Sequence, residues 1–259
     1  MISTAHIHAQ GCAVEVRLND IPVGKIESQK SNDNRQTSLG AAMYLVNGTN
    51  ALNMTVTKIN DTQRVSAQAW VSNTKPGEFA GGDPHKSPNV LMLAEWRPET
   101  AEEKAPKTIE VRKDLGGEFG QRLWEKAAPL ALDDATREKA RVFLEAVRIA
   151  YVKGDGDAMV VYMHPKLVES SQAMPGRSED MLEQQIKKMA QGLAASPDFK
   201  MAPLDPAQFD FQLAAGGRLL ICVNKDGKPT LRPAASKPGM SISFPMTIGL
   251  DNGEFRVFL

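Results

Sequence analysis

Cysteine is almost missing from this chain: Cys12 and Cys222 are the only two in 259 residues. Each sits in an apolar, alternating stretch, so both read as small core residues rather than as a disulfide framework. An excess of charge is missing too, since Lys plus Arg and Asp plus Glu each number 31. Without a basic stripe to follow phosphates, no nucleic-acid partner is expected. No apolar run reaches the roughly 18 residues that span a bilayer, so no membrane partner is expected. Met1–Gln10 has neither a cationic start nor an apolar stretch, which excludes a signal peptide in the chain as given. The expected location is cytoplasmic, or periplasmic for a processed mature form. The motifs GxGxxG, GxSxG and HExxH are absent. The glycine-rich Gly77–Ser87 lacks the lysine-serine ending of a phosphate loop. No cofactor is expected. What is present, 42% hydrophobic and 24% charged residues, is the balance of a chain with a proper core.

Over residues 1–115 the pattern has period two. Cys12, Val14, Val16 and Leu18 fall on one strand face, with Ala13, Glu15 and Arg17 on the other. Asn19-Asp20 turns the chain into Ile21–Glu27. Leu39, Ala41, Met43 and Leu45 form the next inward row, and Asn47-Gly48 is a hairpin signal because both residues tolerate positive φ. Leu52, Met54 and Val56 line the return strand, and Asn60-Asp61 turns into Arg64–Asn73. Further strands are expected at Asn89–Arg97 and Thr108–Leu115. Short strands at this spacing indicate an all-β antiparallel sandwich.

Residues 98–107 are polar, hold two prolines and read as a linker or an exposed excursion. Residues 116–132 form a connector, with a short helix in Phe119–Ala128 presenting Trp124. From Asp133 the period becomes 3.6. Ala140, Phe143, Leu144, Val147 and Tyr151 line one face of a helix that ends at Gly154. Asp155-Gly156-Asp157 starts Ala158–Met163, and Pro165 suits the opening of another helical segment. Ser178 is a candidate N-cap for a helix lined by Leu182, Ile186, Met189 and Leu193. After Pro197 the period falls back to two, with inward rows Phe209/Phe211/Leu213 and Ile242/Phe244/Met246/Ile248/Leu250. A second domain, 133–259, is therefore expected as α+β, with helices packed on a curved antiparallel sheet.

Three features of this second half, the helix Glu138–Tyr151, the stretch "KGDGDAMVVYMHP" and the terminal "GMSISFPMTIGLDNGEFRVFL", resemble the nuclear-transport-factor-2-like cone fold. That family includes ketosteroid isomerases, dehydratases and polyketide cyclases. The first half resembles a general bacterial β-sandwich module. The whole chain looks like proteobacterial two-domain proteins, some of them antitoxin-like immunity proteins encoded beside secreted toxins. The resemblance implies a cone cavity that, in catalytic members, holds an acid/base pair. It also implies homodimers through the open sheet of the second domain.

The groups available for such chemistry are few. Tyr151, Tyr162 and His164 are the candidates, with Tyr151 equally suited to the core and His164 to a turn before Pro165. Asp210 alternates with two phenylalanines and faces out. His6 and His8, two apart on one strand face, have the spacing of a metal pair but lack a third ligand, and equally suit a solvent face. Trp70 falls on the polar row of its strand with Ser66, Gln68 and Ser72. It is either covered by a neighbouring domain or linker, or it anchors a partner. Phe79 in the long loop and Tyr44 are the other candidate partner-binding aromatics. With so few catalytic groups, the expected function is a non-enzymatic bacterial protein-binding protein, an immunity or adaptor protein. The alternative is a small-molecule binder or isomerase/dehydratase-like enzyme using the cone cavity.

Overall fold

The computed structural model describes residues 1–27, 34–59, 65–78, 82–100, 103–117, 119–174, 176–225, 229–234 and 244–259. The turn expected at Asn60-Asp61, residue Ile242 and Phe79 lie outside the described residues. The fold is mixed α+β with antiparallel sheets, and the chain forms two compact units, Met1–Gln121 and Arg122–Leu259. No helix among the described residues is long and apolar enough to cross a membrane.

Among the described residues the first unit holds eight strands: β1 (Ile2–Gln10), β2 (Cys12–Leu18), β3 (Ile21–Ile26), β4 (Asn34–Gly40), β5 (Thr49–Ile59), β6 (Ser66–Thr74), β7 (Val90–Trp96) and β8 (Lys107–Asp114). They make two four-stranded sheets, ordered β4-β1-β6-β7 and β3-β2-β5-β8. One hydrophobic cluster draws on both, with Ala5, Ile7, Ala69 and Val71 from the first and Val14, Val16, Leu52 and Met54 from the second. The alternation in Cys12–Leu18 is seen directly, every second side chain being buried. Asn19 and Asp20, both at positive φ, close the β2–β3 hairpin. The stretch between β7 and β8 falls within the first unit, not between the two units.

The row Leu39–Leu45 is not one strand. β4 ends at Gly40, Ala42–Tyr44 is a 3-10 turn, and Asn47-Gly48 leads from it into β5 without making a hairpin. The reason is Asn50, which is fully buried. Its side chain accepts from Val46 N at 2.9 Å and donates to Val46 O at 2.8 Å and Gly48 O at 3.0 Å. Asn19 Nδ2 donates to Asn50 Oδ1 and to Tyr44 O, each at 2.8 Å. Two side-chain amides thus satisfy backbone groups that a hairpin ladder would otherwise have to satisfy.

The second unit opens with α1 (Leu123–Lys126), then α2 (Asp134–Lys153), α3 (Gly156–Ala173) and α4 (Glu179–Ala195), and closes with β9 (Phe209–Ala214), β10 (Leu219–Asn224), β11 (Thr247–Asp251) and β12 (Glu254–Val257). The four strands form one antiparallel sheet, β12-β11-β10-β9. Asp133, Asp155 and Ser178 cap the three long helices by accepting from Thr136 N, Ala158 N and Met181 N. Gly154, left-handed, ends α2.

Pro165 does not open a helix; it lies inside α3, which runs unbroken through His164 and Pro165. The proline leaves the Val161 carbonyl without its helical donor, and the helix runs on through it. Two apolar rows are also shorter than their periodicity suggests. Met189 and Leu213 are exposed, and the buried positions next to them are alanines, Ala190 and Ala214.

Candidate functional site

In the second unit the three candidate acid/base residues do not converge. Tyr151 projects from α2 into the core, is 1% exposed and packs against Phe244 at a centroid distance of 4.4 Å. Burial pushes its hydroxyl well above the ordinary tyrosine range, so it holds its proton. Tyr162 meets Phe143 edge-on at 5.5 Å. His164 is on an exposed part of α3, with Nε2 3.4 Å from Glu179 Oε1. Phe143, Phe209, Phe211, Phe244 and Met246 are all buried in the same cluster as Tyr151. Asp210 faces solvent as expected and pairs with Arg137.

The buried charges of this unit were not visible in the sequence. Glu169, on α3, has no exposed surface and lies 3.4 Å from the guanidinium of Arg122, itself nearly fully buried. The Leu123 amide also donates to Glu169. Desolvation outweighs these partners and raises the Glu169 carboxyl above the ordinary glutamate value. On the same helix, burial holds the Lys166 ammonium below the ordinary lysine value.

In the first unit, the row of side chains opposite the core carries the polar chemistry. His6 is not on a solvent face. It is 2% exposed, stacks on Trp70 at 4.8 Å with planes 15° apart, and is held by Ser38 Oγ at 2.8 Å and Ser72 Oγ at 3.0 Å. The strand register explains the stack, since His6 stands opposite Trp70 across β1 and β6. Burial lowers its pKa, so the ring is neutral. Trp70 is 4% exposed and therefore covered, so it presents no free ring to a partner. His6 and His8 do not share a ligand position, and no group of three metal-ligating side chains occurs among the described residues. Tyr44 is half-buried against the first unit's core, and burial raises its hydroxyl pKa. Both cysteines are buried free thiols, Cys12 pushed up to about 11 and Cys222 higher still, so neither is a ready nucleophile.

Along the same face runs a chain of side-chain bonds that the sequence reading missed. Asn34 Oδ1 meets His8 Nε2 at 2.6 Å, His8 Nδ1 meets Gln68 Oε1 at 3.4 Å, and Gln68 Nε2 donates to Glu95 Oε1 at 2.5 Å. His85 Nε2 reaches the same Glu95 oxygen at 2.8 Å. Register is the missing signal: His8, Gln68 and Glu95 are strand partners across β1, β6 and β7. The chain ends in an open cleft of about 340 Å³ lined by Ala67, Gln68, His85, Glu95, Trp96 and Arg97. Its walls offer an imidazole oriented by a carboxylate, an amide and a guanidinium, but no hydroxyl or thiol nucleophile. Such a set can recognise a polar or charged group and exchange protons with it.

No protein-family model matches the chain, and no curated protein or solved structure matches it either.

Proposed function

We propose that the chain is a non-enzymatic protein-binding protein, a β-sandwich followed by a cone-like α+β domain. The immunity or adaptor role rests on the resemblance drawn from the sequence. One observation carries the binding reading: the aromatic side chains Phe143, Phe209, Phe211 and Phe244 are buried together with Tyr151 where a catalytic cone would keep its reacting groups. A family catalyst needs an acid/base pair within reach of one bound molecule, and Tyr151 and His164 stand respectively inside the core and on an exposed face. The polar cleft at His85, Glu95 and Arg97 is the proposed recognition surface, formed where β6 and β7 meet the loop that carries His85.

The test is affinity capture from the native host, followed by cross-linking and mass spectrometry. The expected result is one protein recovered in stoichiometric amount, cross-linked near the cleft and lost from the R97E variant. Recovery of the chain alone with a small molecule bound in the second unit would overturn the reading and favour the enzyme or carrier.

A further inference from the structure

We infer that two copies of this chain associate by pairing their β4 edges, antiparallel, about a two-fold axis at Thr37. The inference is independent of the function proposed above. Among the described strands, β4 is the terminal one of its sheet, hydrogen-bonded to β1 alone. The Ala41 amide donates to Ser3 O at 2.8 Å, which fixes which way the ladder points. Ser3, Ala5, Ile7 and Ala9 turn their backbone groups toward β4, and their register partners include Leu39, Thr37 and Arg35. The alternate residues Asn34, Gln36, Ser38 and Gly40 therefore aim their N–H and C=O groups outward. These four are exposed, and no backbone bond links their outward groups to other described residues.

Three of the other edges carry the usual guards against strand addition. β3 contains Pro22 and Lys25. β8 is charged along its length at Lys107, Glu110, Arg112, Lys113 and Asp114. β7 and β9 hold one charge each, Glu95 and Asp210, as β4 does, but β7 runs on into Arg97 and Pro98 and β9 is shorter, at six residues. β12 is four residues long and has Glu254 and Arg256. β4 (NRQTSLG) has seven residues, no proline and one charge.

The occupant that fits is a second β4. With Thr37 opposite Thr37 of the second copy, Gln36 faces Ser38 and Asn34 faces Gly40, so the outward residues of one strand meet the outward residues of the other. Each of these pairs can exchange both backbone bonds. Arg35, the lone charge, falls opposite Leu39, so no like charges meet. A closed two-fold pairing also leaves neither β4 edge open for further addition.

Light scattering on the eluting full-length chain tests this across a concentration series. The expected result is a rise from the monomer mass to twice that value. Gln36→Pro removes an outward N–H that β1 does not use and is expected to return the mass to monomer; Gln36→Ala keeps the backbone and the dimer. Thr37→Cys places two thiols at a non-hydrogen-bonded pair, where Cα atoms lie about 4.5 Å apart, within disulfide range. It is expected to form a disulfide-linked dimer on mild oxidation, and Arg35→Cys is not. Circular dichroism melting confirms that each variant is folded. A monomer at every concentration would overturn the inference. So would a dimer that survives Gln36→Pro, such as one built on the second unit's sheet, or failure of folded Thr37→Cys to cross-link.

Discussion

In the first unit the most buried imidazole, His6, is kept neutral between two serines and a tryptophan face, whereas in the second Glu169 is buried as half of a pair with Arg122. Both groups have lost water, and both pKa values move toward the neutral form, down for His6 and up for Glu169. The difference lies in what holds them. A neutral imidazole needs only hydrogen-bond partners, which strand register supplies. A carboxylate needs a counter-charge, and removing that counter-charge leaves an uncompensated buried ion. The two sites should therefore fail by very different amounts.

The largest expected effect is from Arg122→Met. It strands Glu169 and should destabilise the second unit by about 3–5 kcal/mol. Hydrogen exchange resolved by peptide would show lost protection in α1 and α3, with little change in β1 and β6. Equal loss in both units would mean that they do not unfold as separate bodies. His6→Phe keeps a ring against Trp70 but removes the bonds to Ser38 and Ser72. It should cost about 1–2 kcal/mol, read as a shift in urea midpoint, with the loss of protection confined to the first unit.

The same two residues give opposite pH slopes. A histidine whose folded pKa is lowered binds protons more readily when unfolded. Its contribution is therefore present above its ordinary value of 6.5 and is lost as pH falls from there through the lower folded value. A glutamate whose folded pKa is raised above 4.5 binds its proton more readily when folded, so its contribution is greatest in acid and is lost as pH rises through the folded value. Glu169→Gln should therefore flatten a downward slope in second-unit stability above the ordinary glutamate range. His6→Phe should flatten an upward slope in the first unit through the histidine range. Denaturation midpoints measured from pH 4 to pH 8 check both signs at once.

Much of the fold was legible because local chemistry and burial agree. In Cys12–Leu18 the row Cys12, Val14, Val16 and Leu18 is the buried one, and at Asp133 and Ser178 the capping side chain stands only three residues before the amide it serves. The expectations failed where a distant partner decides. Asn47-Gly48 has the composition of a hairpin, but Asn50 and Asn19 satisfy the nearby backbone, so no ladder forms there. Pro165 has the composition of a helix start, yet α3 continues across it, with Pro165 itself buried. The candidate sites were harder still. His6 and Trp70 occupy the polar row of their strands, and only the register that sets them side by side brings the two rings together, where both are buried. The His8–Gln68–Glu95–His85 chain crosses three strands and a loop, a relation that no spacing along one segment encodes.

The smallest effect sharpens the comparison from the exposed side. Arg137 and Asp210 form an ion pair between α2 and β9, with the Asp210 side chain more than half exposed. Asp210 titrates below the ordinary aspartate value, first because it accepts from the Phe211 amide and only then because Arg137 is near. Water screens such a pair, and its net worth is less than about 1 kcal/mol. Arg137→Ala should therefore move the urea midpoint of the second unit far less than Arg122→Met, although both remove an arginine from an acidic partner. The lowered pKa places the contribution of Asp210 above the ordinary aspartate value and removes it as pH falls through the folded one. Raising the salt concentration should erase the Arg137→Ala effect and leave that of Arg122→Met nearly intact, because counter-ions reach the first pair and not the second. Equal salt sensitivity at both positions would show that Glu169 is open to solvent, and the contrast between the two units would then lose its physical basis.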